Sequence, residues 1–217
     1  MRPFSVCFGT LPLVSSRKTL LVLFAVLSLF LCPHPAFPQS HALTLPRNLV
    51  QLVDESELVV QGRITSVMLE PHAQLNNLLT VVVTLQVEET LKGTIVGTYT
   101  FRQAAIDRRD QQQKMGYRVG QRLLLTLIRP SVYGLTSPAG MQQGRFSIIA
   151  GADGKLQATN GFGNAGLFRG LDTELPTYGT HISPEVRAMV AQANPGPIPL
   201  DDLKRLIRSL ATRNSPQ

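Results

Sequence analysis

The chain has no tryptophan, and only two cysteines and four histidines among 217 residues. Both cysteines, Cys7 and Cys32, fall within the first 32 positions, so the remainder can form no disulfide. Long hydrophobic runs are missing too. The longest uncharged apolar stretch, Thr19 to Leu31, has 13 residues, whereas a membrane-spanning helix needs roughly 20. Histidine is scarce enough to exclude the usual zinc arrangements: beyond residue 42 only His72 and His181 remain, far apart, and no His-Glu-x-x-His is present. A Gly-x-Ser-x-Gly nucleophile elbow is absent as well.

What the first 42 residues do contain is the layout of a secretory leader. The basic pair Arg17-Lys18 precedes the apolar run, and Ser40-His41-Ala42 puts small residues three and one before a cut after Ala42. Cys32 stands where a lipidated cysteine would, but Leu31 occupies the preceding position, where a small residue is required. An uncleaved signal anchor is the alternative that would tie the chain to a membrane through this segment. Cleavage predicts a secreted or periplasmic protein of one domain, long enough to bury a core without disulfides. Arg2, Arg17 and Lys18 leave with the leader, lowering the formal charge from +7 to +4. An excess this small, spread along the chain, argues against a nucleic-acid partner, which selects a basic patch or stripe.

Beyond residue 42 the pattern reads as helix, strands, then helices. Leu45, Leu49, Leu52 and Val53 predict a helix over 45–55. A strand over 58–68 would place Val60, Ile64 and Met68 on one face, with Gly62 marking a bulge. Strict alternation over Thr80–Glu88 predicts a half-buried strand, and Thr98–Gln103 a third with Tyr99 and Phe101 on one side. Such aromatics are more often core than a stacking platform. The continuous Leu123-Leu124-Leu125 marks a central strand over 122–129. Gly151–Gly154 predicts a tight hairpin between strands at 145–150 and 155–159. Pro184 opens a helix running to about Ala193, residues 194–199 read as a stiff linker, and Leu200, Leu203, Leu206, Ile207 and Leu210 stripe a last helix capped by Asp201 or Asp202.

These elements predict a mainly β fold: a small OB-like barrel, closed or partly open, with a short N-terminal helix and two C-terminal helices. The expected division is a signal peptide over 1–42, a barrel over 43–170 and a helical extension over 171–217 packed on it. Glu57-Leu58-Val59-Val60-Gln61-Gly62, the strand ending in Lys92-Gly93, and Val119-Gly120 leading into Arg122-Leu123-Leu124 resemble the secreted OB-fold domains related to tissue inhibitors of metalloproteinases and netrin modules. The resemblance covers residues 45–130 and implies an extracytoplasmic binding barrel of bacterial type. In those inhibitors a disulfide-held N-terminal cysteine reaches the protease zinc. This chain has no cysteine to which that role can be carried over.

The predicted function is a non-enzymatic binding module with no cofactor and no metal, contacting another extracytoplasmic protein. Its expected contact surface is the polar stretch 104–120, where only Ile106, Met115 and Tyr117 call for burial. Arg102, Asp107, Arg108, Arg109, Lys114 and Arg118 would supply bidentate and steering contacts. Two alternatives stand beside it: binding of a polysaccharide or other envelope polymer, and a hydrolase using His181 with Asp172 or Glu174. Gly161-Phe162-Gly163-Asn164-Ala165-Gly166 matches the dinucleotide pattern literally, but a short polar strand before it and no clear helix after it speak for a glycine-rich connection.

Overall fold

The computed structural model describes residues 45–171, 184–192 and 196–213. The expected leader, His181, Asp172 and Glu174 lie outside the described residues. Every described residue belongs to one compact unit, Leu43–Gln217.

In chain order the elements are α1 (Leu49–Glu55), β1 (Ser56–Pro71), β2 (Leu79–Lys92), β3 (Thr98–Ala104), α2 (Arg108–Gln113), β4 (Arg122–Ile128), β5 (Arg145–Ala150), β6 (Leu156–Asn160), α3 (Pro184–Gln192), β7 (Ile198–Pro199) and α4 (Leu200–Arg213). The fold is mainly β. The seven strands form one antiparallel sheet in the order β3-β2-β1-β4-β5-β6-β7. No strand pairing joins its edges, β3 and β7. Outside the strands, Leu135 bridges to Arg102 of β3 and Pro138 to Leu127 of β4.

Two apolar cores explain the strand patterns. On one face Val60, Ile64, Val83, Leu85, Phe101 and Leu125 are packed together. On the other, Val59 and Leu124 meet α1, α4 and the segment carrying Leu167 and Phe168. Strands β1 and β4 are therefore covered on both sides, which is why Leu123 to Leu125 is an unbroken apolar run. Tyr99 and Phe101 turn toward the first core, with their rings stacked at 6.4 Å.

Helix α1 starts later than the periodicity predicted. Asn48 forms a capping box with Gln51, and Leu45 is 77% exposed, off the helical face. In β1 a register shift between Ile64 and Ser66 turns Val67 inward and leaves Met68 47% exposed, correcting the face predicted from simple alternation. Ile198-Pro199, predicted as linker, pairs with β6. Helix α4 starts at Leu200, so Asp201 and Asp202 lie inside its first turn instead of preceding it. Asp202 is buried and paired with Arg205 at 2.6 Å, and Glu89 of β2 receives Lys204 and Arg208.

The three quoted motifs all act on β1 or its junction with α1. A side chain at Gly62 would put Cβ 2.6 Å from the Gln86 carbonyl oxygen. Lys92 Nζ donates to the carbonyls of Val53 (2.8 Å) and Ser56 (2.7 Å), closing the C-terminal end of α1. Gly120 (φ +87°) donates to Ile64 O, and Ile64 N donates to Gln121 O, both at 2.8 Å. Each motif thus has a role in backbone architecture.

Candidate interaction surface

The segment 104–120 is a braced structure. Ala105 N donates to Leu79 O at 2.9 Å, and the Asp107 carboxylate accepts from Asp110 N at 2.7 Å, capping α2. The chain then enters the left-handed region at three successive residues, Lys114 (φ +48°), Met115 (φ +55°) and Gly116 (φ +73°). For the two residues with side chains this conformation costs roughly 1–2 kcal/mol each.

Arg145, the first residue of β5, holds that turn in place. Its guanidinium donates to Met115 O at 2.7 Å and Gly116 O at 2.6 Å, and lies 4.1 Å from the centroid of the Tyr117 ring. The Tyr117 hydroxyl donates to Gln103 Oε1 at 3.1 Å. Burial pushes the Tyr117 phenol up to about 12 despite the opposing charge of Arg145, and burial likewise lowers the Arg145 pKa. Gln103, Met115, Tyr117, Met141, Gln142 and Arg145 line a partly open recess of about 10 Å³, the size of one water. Of the three residues expected to be buried, Met115 and Tyr117 are, while Ile106 is 83% exposed.

The six residues expected to form the contact surface divide into two groups. Arg102 is engaged on the sheet, donating to Glu70 Oε2 at 2.9 Å and Thr80 Oγ1 at 2.6 Å. Asp107 is the α2 cap, and Lys114 Nζ donates to Val67 O at 3.2 Å. Arg108, Arg109 and Arg118 are exposed, and among the described residues none of these three side chains makes an ion pair or a hydrogen bond.

Sequence reasoning missed Arg145, which reads there only as the start of a strand, and it missed the turn at 131–135. In that turn the Ser131 hydroxyl accepts from Tyr133 N (3.3 Å) and Leu135 N (3.2 Å), while Val132 stands 94% exposed. Pro130-Ser131 and Gly134 were the available signals. His72 ties the turn to the β1–β2 connection. Its Nδ1 accepts from Gln74 N and Leu75 N, both at 3.1 Å, so Nε2 carries the proton and donates to Tyr133 O at 3.0 Å. With both nitrogens engaged, this ring is structural. Among the described residues no group of three or more His, Cys, Asp or Glu could hold a metal ion.

The literal Gly-x-Gly-x-x-Gly has spent five of its six amides. Those of Gly161, Gly163 and Ala165 donate to backbone carbonyls, and those of Phe162 and Asn164 to Asn160 Oδ1. Asn164 Nδ2 closes the loop on Ala158 O (3.0 Å) and Gly196 O (2.7 Å). A phosphate cradle requires amides that are free, and these five are already bonded within the protein. Comparison of the chain with protein families, with characterised proteins and with solved structures finds no match.

Proposed function

We propose that this chain is an exported, non-enzymatic binding module that contacts another extracytoplasmic protein through the segment 104–120. The observation that carries the reading is the contrast within that segment. Its backbone is fixed by the buried Arg145 and Tyr117, while Arg108, Arg109 and Arg118 remain exposed and unpaired. A contact surface whose backbone is already ordered loses little entropy on binding. Free guanidinium groups on it supply steering and bidentate recognition of carboxylates.

The scaffold in this proposal is an OB-like barrel. The sheet order β3-β2-β1-β4-β5 is the order in which such a barrel would be laid out. The Leu135–Pro138 segment, touching both β3 and β4, gives support for closure.

The test is a cross-linking pull-down with the Leu43–Gln217 unit from the extracytoplasmic fraction of its own organism, beside a variant carrying Arg108→Glu, Arg109→Glu and Arg118→Glu. One specific protein recovered by the native form and lost with the variant is the expected result. Equal recovery by both, or none by either, removes this surface from consideration.

A further inference from the structure

We infer that the end of the sheet bearing the Ser131–Leu135 turn docks on an anionic lipid surface, inserting Val132 and Ile106 among the headgroups and acyl chains. This contact shares Ile106, Arg108 and Arg109 with the segment proposed above and adds the Ser131–Leu135 turn, while Arg118 belongs to the protein contact alone.

Connectivity gathers the relevant groups at one end. Leu135 bridges to Arg102 two residues before β3 ends, and Ala105 N bonds Leu79 O, the first residue of β2. His72, next after β1, bonds Tyr133. Here Val132 is 94% exposed, Ile106 83%, Tyr133 48% and Leu69 38%. Isolated exposed aliphatics are ordinary. Four large apolar side chains at one end of the sheet, on a braced backbone, are a different case.

The bracing favours lipid over water. Ser131 N and Leu135 O bond each other at 2.8 Å, as do Gly134 N and Ser131 O, while the amides of Tyr133 and Leu135 go to Ser131 Oγ. His72 satisfies the Tyr133 carbonyl. Backbone groups bonded within the protein can approach a poorly hydrated layer; the amide and carbonyl of Val132, which have no internal bond among the described residues, stay at headgroup level while its side chain inserts. No residue from Pro130 to Thr136 is charged. Arg108 and Arg109, whose side chains make no ion pair among the described residues, open the next element along from Ile106, where anionic headgroups would meet them; of the nearby acids, Glu70 and Asp107 are engaged within the protein, and Asp110 offsets part of the charge of Arg109. A convex turn with an aliphatic tip beside a tyrosine suits a fluid interface, which demands no matching pocket and favours aromatic rings at headgroup depth.

The experiment is co-sedimentation of the Leu43–Gln217 unit, which contains both described cores, with two vesicle types at low salt: phosphatidylglycerol mixed with phosphatidylcholine, and phosphatidylcholine alone. Binding to the anionic vesicles is expected, with little to the zwitterionic ones. Val132→Ser combined with Ile106→Ser should weaken it about tenfold or more. Arg108→Gln with Arg109→Gln should weaken it about tenfold. Val96→Ser, at a side chain 86% exposed on the β2–β3 turn, should leave it unchanged. Absence of anionic binding, equal binding to both vesicles, or indifference to the Val132/Ile106 change overturns the inference. So does loss of the cross-linked protein with Val132→Ser when no vesicle binds, which would make the tip a protein contact. Arg118→Glu separates the two sites, since it should impair protein capture and leave vesicle binding intact.

Discussion

The Arg145 guanidinium is held between an aromatic ring and two carbonyls, 4.1 Å from the centroid of Tyr117 and 2.7 and 2.6 Å from the oxygens of Met115 and Gly116. It is a buried cation neutralised by dipoles and a π face, and among the described residues it has no carboxylate partner. Replacing it with methionine would keep the bulk and orphan both carbonyls, at roughly 1–3 kcal/mol each. Arg145→Met should therefore lower unfolding free energy in urea by about 3 kcal/mol and speed amide exchange across 108–117. Arg145→Lys, which keeps the charge without the planar fork, should recover only part of this.

Tyr117 gives an alkaline signature. Its folded pKa, raised by burial to about 12, exceeds the ordinary phenol value of 10. A raised pKa means that the unfolded chain releases its proton first. The stabilisation is complete below about pH 10 and is lost as pH rises toward about 12. Two pH units correspond to about 3 kcal/mol. Thermal unfolding across this window should fall steeply in the native protein and more shallowly in Tyr117→Phe. A native profile no steeper than that of the variant would contradict the assignment.

Glu88 governs the acid side. Burial pushes its carboxyl up, but hydrogen bonds from Gln61 (2.5 Å) and Arg122 (2.6 Å), with the charges of Arg122 and Arg63, outweigh it and hold the pKa below the usual value. Here the folded pKa is depressed, so the stabilisation exists above the unfolded carboxylate pKa and disappears as pH falls through the folded one. Glu88→Gln should lower the melting temperature at neutral pH and flatten its decline below about pH 5.

How much of this the sequence discloses depends on how local the cause is. The run Leu123 to Leu125 reports two-sided burial because every position needs an apolar residue, and the Pro184 helix start needs only its own turn. The exposed face of Met68 was not legible. A bulge sets it, and bulges depend on how β1 and β2 slip past each other. Segment 104–120 carries no apolar period, so it reads only as a polar contact surface with three residues to bury. What orders it is Arg145, 29 and 30 positions from the carbonyls it binds, a link no window of sequence contains. Composition drew attention to the arginines there, but only geometry separates Arg102, already bound to Glu70, from Arg108 and Arg109.

Asn164 tests what the glycine-rich loop is for. It sits at φ +63°, where asparagine, aspartate and glycine are the tolerated residues, so replacements among them leave the backbone largely unstrained and isolate the side-chain bonds. Asn164→Gly removes the two donations to Ala158 O and Gly196 O and the acceptor for Asn160 N. Asn164→Asp keeps the acceptor but turns a carboxylate against the buried carbonyl of Ala158 and the half-buried one of Gly196. Aspartate should therefore be the more damaging, costing about 3 kcal/mol or more, with glycine intermediate, because an unpaired buried charge costs more than a missing bond. If the loop instead existed to hold phosphate, pyrophosphate at millimolar concentration would raise the native melting temperature by linkage. With the amides of residues 161 through 165 already donating inside the protein, no such rise is expected, and one of several degrees would show that the loop opens to bind.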